Sequence, residues 1–200
     1  WLAADNVTNS GVTLFAQNNL TASSQNSLNN LNAGLIRAAN GLQLSALDDI
    51  NNVSSTINGK TVQLESIGGS ISNTTLMQRV GIYSTGQRGE RVNLTSTRTG
   101  NTASISATDG LLMNAGQDIT VTGANVSAGG SLTMLADDNI SVSENQQSSG
   151  YTGTDFLGRS YGNNISNQGS SITAGNDLTM QAVNDLTLSA SSVNAGGTAQ

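Results

Sequence analysis

The chain has 200 residues, a formal net charge of −6 and a sequence pI of about 4.2, which fit one structural unit without the basic surface that a nucleic-acid-binding protein needs. It contains neither cysteine nor histidine, which excludes disulfides, thiolate nucleophiles, histidine acid/base relays and ordinary zinc sites, so we expect no metal and no cofactor. Charged residues make up only 10% of the chain, proline is absent and glycine occurs 23 times, a composition that favours a neutral, polar, repetitive β structure without a membrane-spanning segment.

The first half of the chain contains short segments in which apolar and polar residues alternate. Four such segments are Val12–Ala16, Leu42–Ala46, Val62–Ser66 and, as a partial copy, Val92–Leu94. The first is followed by Leu20-Thr21-Ala22, and the next two lead to Ile50 and Ile71. We interpret all four as weak copies of one repeat.

The second half repeats the same layout more clearly. Its first alternating segments are Leu111–Ala115, Leu132–Ala136 and Leu178–Ala182. Each is followed by a polar turn and a second alternating segment. A third segment is present at Ala124–Gly130, Ser171–Gly175 and Ser192–Gly197. Equivalent residues lie 20 to 21 positions apart, so the sequence predicts a repeat of about twenty residues with three short segments.

This repeat predicts an all-β fold. Alternation with a period of two is typical of half-buried strands, and the segments are too short to form stable hairpins by themselves. Three short strands per repeat, each stacked on its equivalent in the next repeat, form one coil of a parallel β-helix. We therefore expect about eight coils, with apolar columns inside and Asn, Asp and Gly at the corners.

Two segments interrupt the repeat, at about 73–90 and 143–168. Their aromatic and charged residues are candidate binding anchors: Arg79, Tyr83 and Arg88 in the first, and Tyr151, Asp155, Phe156, Arg159 and Tyr161 in the second. Two further arginines, Arg91 and Arg98, follow the first segment. The segments could protrude as contact surfaces or fold back on their own coils, and the second could be partly disordered.

Paired carboxylates at Asp48-Asp49 and Asp137-Asp138 could serve as acid and base or bind calcium. Both pairs fall at the same polar turn of the repeat, where adjacent side chains point in different directions. We therefore interpret them as turn residues, and the sequence contains no candidate catalytic residue.

The segments Ala174–Leu186 and Val126–Met134 resemble the haemagglutinin repeats of large bacterial exoproteins of the filamentous haemagglutinin type, which include contact-dependent growth inhibition effectors. The resemblance is close over 109–200 and looser over 1–108. It implies a right-handed parallel β-helix that is exported through an outer-membrane partner transporter, a two-partner secretion system. It also implies a location at the bacterial cell surface and a role in adhesion, virulence or toxin presentation.

The expected function is therefore that of a structural and adhesive shaft, with residues 1–200 as one β-helix segment of a longer exoprotein. A receptor on a target cell is a possible partner, and open strand edges at both ends predict end-to-end self-association. The alternative is a polysaccharide-cleaving enzyme, a lyase or hydrolase, because parallel β-helices also house such enzymes. Such an enzyme needs carboxylates that converge on one face, whereas the acidic residues here are scattered.

Overall fold

A computed structural model of the chain describes residues 1–86, 90–155 and 158–200. Within these ranges the regular structure is entirely β, with 25 strands, and no helix that could span a membrane is found. The strands form three parallel sheets of seven strands each and one antiparallel sheet of four strands. The predicted parallel β-helix is confirmed.

The three parallel sheets form the walls of the helix. The first contains Leu2–Ala4 (β1), Leu20–Ser24 (β4), Gly41–Ala46 (β7), Thr61–Ser66 (β10), Leu111–Ala115 (β15), Leu132–Ala136 (β18) and Leu178–Ala182 (β23). The second contains Val7–Ser10 (β2), Leu28–Leu31 (β5), Ile50–Val53 (β8), Ile71–Thr74 (β11), Ile119–Thr122 (β16), Ile140–Ser143 (β19) and Leu186–Leu188 (β24). The third contains Thr13–Ala16 (β3), Leu35–Ala38 (β6), Thr56–Gly59 (β9), Ser104–Ala107 (β14), Asn125–Ala128 (β17), Ser171–Ala174 (β22) and Ser192–Ala195 (β25).

The antiparallel sheet consists of two hairpins. Its strands are Met77–Thr85 (β12), Arg91–Thr99 (β13), Asn145–Asp155 (β20) and Gly158–Gln168 (β21). The first hairpin connects β11 to β14 and the second connects β19 to β22. Both therefore leave the helix at the same corner, between the second and third sheets.

Each coil contributes one strand to each wall, so the described chain contains seven coils rather than about eight. The register confirms the predicted equivalences, because Leu44 pairs with Leu64 and Met113 pairs with Met134. Two assignments were wrong. Val12–Ala16 belongs to the third wall, where β3 pairs with β6, and Val92–Leu94 lies in a hairpin strand.

The core is a set of apolar columns that run down the inside of the helix. Alternation places every second side chain inward, as in the buried, half-buried, buried pattern of β15 and β18. One column of the first wall contains Leu44, Leu64, Met113, Met134 and Met180; the second wall contributes Leu28, Ile50, Ile71, Ile119 and Ile140, and the third Ile36, Ile57, Ile105, Val126 and Ile172. Stacking like on like in register gives a close-packed interior from a polar sequence.

The second wall also holds a buried ladder of asparagines that the sequence reading missed. Asn9, Asn30, Asn52 and Asn73 occupy equivalent positions in the first four coils and are almost completely buried. The Nδ2 of each of the first three donates to the Oδ1 of the next asparagine at 2.8 Å, and the Nδ2 of Asn73 donates to the Asn125 carbonyl oxygen at 2.9 Å. Because the amides satisfy one another, the polar column is compatible with the core.

The hairpin bounds differ from the predicted interruptions. The first hairpin spans 77–99 rather than 73–90, and the second spans 145–168 rather than 143–168. Asn73 and Thr74 complete the coil strand β11, whereas Arg91 and Arg98 belong to the hairpin. Alternation continues from the coil into the hairpin strands, so the sequence pattern does not mark this boundary.

Candidate functional site

The two hairpins, which leave the helix with one coil between them, form a single sheet that we call the hairpin sheet (β12, β13, β20 and β21). Strand β13 of the first hairpin pairs antiparallel with β20 of the second, with Leu94 opposite Tyr151 and Arg91 opposite Thr154. This pairing joins residues that are about sixty positions apart in the chain into one surface.

A buried contact at the helix corner anchors the sheet. The Nδ2 of Asn145 donates to the carbonyl oxygen of Thr75 at 2.7 Å, which links the bases of the two hairpins. The bridge passes the corner of the intervening coil at Gly123, whose φ is +54°. A Cβ at Gly123 would lie 2.5 Å from the Asn145 Nδ2, so the close approach requires glycine at this position. The Thr75 hydroxyl donates to the Gly123 carbonyl oxygen at 2.7 Å and completes the joint.

One face of the hairpin sheet, the apolar face, carries large apolar side chains. Its exposed members are Val80, Ile82, Val92, Leu94 and Tyr151. Four of them line a depression of about 470 Å³. Gly162, which is opposite Tyr151, leaves space for the tyrosine ring, because a Cβ there would collide with that ring.

The opposite face, the tyrosine–arginine face, has a different chemistry. One row across the four strands contains Tyr83, Asn93, Thr152 and Tyr161, and the next row contains Thr85, Arg91, Thr154 and Arg159. A depression of about 330 Å³ on this face is lined by Tyr83, Arg91, Asn93, Thr152 and Thr154 among others. The Oδ1 of Asn93 is buried and has no hydrogen-bond partner among the described residues.

The structure separates the candidate binding residues between the two faces. By strand alternation Arg79, Tyr83, Arg159 and Tyr161 lie on the tyrosine–arginine face, and Tyr151 lies on the apolar face. Asp155 ends β20. The other two predicted anchors, Arg88 and Phe156, lie outside the described residues. Asn93 was not among the candidates, since its place in an apparent repeat segment gave no signal of a surface role.

Comparisons with known proteins agree with this architecture. Residues 3–156 match the hemagglutinin repeat family. The chain belongs to this family. It is 59% identical over 126 residues, 63% of the chain, to the 16S rRNA endonuclease CdiA of Enterobacter cloacae subsp. cloacae. It is 49% identical over 144 residues, 72% of the chain, to the tRNA nuclease CdiA of Escherichia coli O6:K15:H31.

A more distant relative is the deoxyribonuclease CdiA of Dickeya dadantii, which is 36% identical over 128 residues, 64% of the chain. The matched region spans only about 4% of the length of each of these three curated relatives. No solved structure matches the chain. The family match and these relatives together make the hemagglutinin-repeat chain a structural shaft segment of the kind that large exoproteins contain.

Charge is distributed unevenly over this hemagglutinin-repeat segment. The ranges 77–99 and 145–168 contain five basic and two acidic residues, whereas the rest of the chain contains two basic and eleven acidic residues. The hairpins are therefore net positive on an acidic shaft. In the described part of the chain the one salt bridge lies on the shaft, between Lys60 and Asp109 at 3.6 Å.

The corner carboxylates serve the turns. The Oδ1 of Asp49 accepts a hydrogen bond from the backbone N–H of Ser70 in the next coil at 2.9 Å. The Oδ1 of Asp118 accepts from the backbone N–H and the side-chain Nδ2 of Asn139 at 3.1 and 2.9 Å. Over residues 1–86, 90–155 and 158–200 no group of three acidic side chains is placed to hold a metal ion. These carboxylates therefore connect successive coils.

Proposed function

We propose that this segment is a non-catalytic part of the shaft that positions a toxic domain carried elsewhere in the exoprotein, and that the hairpin sheet is its contact surface for a target cell. The names of the relatives support the first part. An rRNA endonuclease, a tRNA nuclease and a deoxyribonuclease all share this same short segment. An element common to three different activities is best explained as the common support, not as the source of any one activity.

The described side chains support a non-catalytic role. Carboxylates at the corners are engaged with the backbone of the next coil, as at Asp49 and Asp118. A β-helical lyase or hydrolase requires several acidic groups, or basic groups with a metal, that converge on one face. We therefore favour a shaft over a polysaccharide-cleaving enzyme.

Export and location follow from the same proposal. A low-charge chain of local repeats can cross the outer membrane unfolded through a partner transporter and then fold by adding coils. We infer that the shaft is secreted and displayed at the bacterial surface. The end coils expose Leu2, Leu186 and Leu188, which would allow isolated segments to stack end to end.

The contact surface supports adhesion through exposure and anchoring. The hairpin sheet exposes aromatic and apolar side chains on both faces, and the Asn145 bridge fixes it to the shaft. Exposed aromatic and arginine side chains are effective binding anchors in protein interfaces. A sheet that is fixed to the shaft and carries such anchors is suited to the recognition of a cell-surface ligand. A segment that only separated other domains would not need it.

The test compares the chain with a variant in which both hairpins are replaced by short turns. The backbone N–H of Gly100 donates to the Leu76 carbonyl oxygen at 2.8 Å, so a two-residue turn can close the first corner. We expect saturable binding of the labelled chain to bacterial cells, with animal cells measured in parallel, and loss of binding in the variant. Equal binding by both forms would contradict the contact surface. Turnover of rRNA, tRNA, DNA or acidic polysaccharide by the purified chain would contradict the non-catalytic role.

A further inference from the structure

We propose that the tyrosine–arginine face of the hairpin sheet binds an anionic sugar, one that carries a carboxylate or a phosphate. This inference rests on the contact-surface part of the proposed function and names the chemistry of the ligand. It depends on three features of this face: two exposed tyrosines in one row, a buried acceptor between them, and two arginines in the next row.

The tyrosines frame the site. Tyr83 and Tyr161 lie on the outer strands β12 and β21 in the same row, and their side chains are 76% and 82% exposed. With strands about 4.8 Å apart, three strand spacings place their backbones about 14 Å from each other. Aromatic rings at this separation can cover the C–H faces of two non-adjacent sugar rings of one oligosaccharide, because tyrosine offers an apolar ring with a polar tip. The hydroxyl end of the Tyr83 ring lies next to Gly81, where a Cβ would be 3.3 Å from the ring Cε2.

The floor between the tyrosines is polar and incomplete. Asn93 lies in the same row as Tyr83, and its buried Oδ1 has no donor in the part of the chain that the structure describes. A buried acceptor without a donor is costly, and a ligand hydroxyl that reaches it through a small shift of the surrounding atoms would remove that cost. The threonine hydroxyls of Thr152 and Thr154 line the same 330 Å³ depression, which is the size of a small ligand pocket. The donor and acceptor pattern of this floor is complementary to a sugar.

The arginines supply the charge preference. Arg91 and Arg159 lie in one row on either side of Thr154. A guanidinium pairs with a carboxylate or a phosphate through two parallel hydrogen bonds, which favours an anionic ligand over a neutral one. The net positive charge of the hairpins on an acidic shaft directs an anion to this sheet.

The opposite face provides matched controls. Arg98 and Tyr151 belong to the same sheet and have the same residue types, but alternation places them on the apolar face. A ligand that binds through general electrostatic attraction would respond to Arg98 as much as to Arg91. A ligand that binds the tyrosine–arginine face would not.

The experiment is isothermal titration calorimetry of the 200-residue chain with tetragalacturonate and glucose 6-phosphate as anionic probes. Galactotetraose serves as the neutral probe, and inorganic phosphate and oligodeoxythymidine as non-sugar anions. We expect one or both anionic sugars to bind at least about tenfold more tightly than the other three probes, as expected for charge-assisted hydrogen bonds. The two sugar probes distinguish a carboxylate from a phosphate as the recognised group.

Affinities of sequence variants then show which face of the hairpin sheet binds the sugar. We expect the double variant Arg91→Gln/Arg159→Gln and the single variant Asn93→Leu each to lose about tenfold or more in affinity, while Arg98→Gln and Tyr151→Leu retain it. Far-UV circular dichroism confirms that each variant keeps its β structure. Absence of binding by both anionic sugars, equal losses in Arg98→Gln, or tighter binding of oligodeoxythymidine would overturn the proposal. If the chain still binds cells through the hairpins while no sugar binds, only the ligand class fails and the contact surface stands.

Discussion

The asparagine ladder offers the sharpest test of how the shaft is stabilised. Asn52 accepts a hydrogen bond from the Asn30 Nδ2 at 2.8 Å. Its own Nδ2 carries two hydrogens, which it shares among the Asn73 Oδ1 and the carbonyl oxygens of Ser55 and Ser104 at 2.8, 2.9 and 3.2 Å. Truncation to alanine therefore removes the equivalent of three hydrogen bonds and leaves the Asn73 Oδ1 without this donor. At about 1 kcal/mol per hydrogen bond, Asn52→Ala lowers the free energy of unfolding by about 3 kcal/mol.

Two other asparagines calibrate this value. Asn73 ends the ladder and makes two such bonds, one with Asn52 and one to the Asn125 carbonyl oxygen at 2.9 Å, so Asn73→Ala costs about 2 kcal/mol. Asn51 precedes Asn52 on the same strand but points outward, where it donates to the Asn29 Oδ1 at 3.1 Å. We expect Asn51→Ala to cost about 0.5 kcal/mol.

Urea denaturation followed by circular dichroism measures the three variants against the parent chain. We expect the loss in free energy of unfolding to be largest for Asn52→Ala, intermediate for Asn73→Ala and smallest for Asn51→Ala, with the same dependence on urea concentration in all three. Equal losses for Asn52→Ala and Asn51→Ala would show that the buried amides fill space and contribute no hydrogen-bond stability. A loss for Asn73→Ala as large as that for Asn52→Ala would show that position in the ladder is irrelevant.

Two glycine substitutions test the hairpin sheet. Gly123→Ala introduces a Cβ at a residue whose φ is +54°, and this Cβ would lie 2.5 Å from the Asn145 Nδ2. We expect the substitution to break the Asn145–Thr75 hydrogen bond, to lower the free energy of unfolding by about 2 kcal/mol and to speed amide hydrogen exchange in the hairpins. Unchanged amide hydrogen exchange would refute the anchoring role. Gly162→Ala places a Cβ against the Tyr151 ring. We therefore expect the near-ultraviolet circular dichroism of the tyrosines to change while the β-helix stays intact. An unchanged spectrum would show that the position of the Tyr151 ring does not require a glycine at residue 162.

The coils could be predicted from the sequence because their information is local. Alternation with a period of two fixes which side chains point inward, and equal coil lengths then place equivalents such as Met113 and Met134 side by side. Parallel stacking in register needs no other long-range information, and the resemblance to haemagglutinin repeats rests on the same local pattern. The sequence also indicated that two segments leave the helix, since their aromatic and arginine residues break the repeat.

The ladder was harder to recognise for a physical reason. Asn9, Asn30, Asn52 and Asn73 recur at intervals of 21 to 22 residues, but asparagine is also the common corner residue of the repeat. Only the inward direction and the amide-to-amide hydrogen bonds distinguish a buried ladder from a series of turns. In the next coil Val121 takes the same position, so a polar and an apolar column share one place in the repeat.

The sequence by itself determined the repeat and the walls of the helix, because both follow from spacing along the chain, and it indicated that two interruptions exist but not where each begins and ends. Only the tertiary structure decided that the interruptions form one sheet. That pairing requires both hairpins to leave the same corner with one coil between them, and to meet across Gly123 of that coil, whose lack of a side chain admits the Asn145 bridge. The separation of Tyr151 from Tyr83 and Tyr161 onto opposite faces follows from this register, which long-range packing sets and local sequence does not.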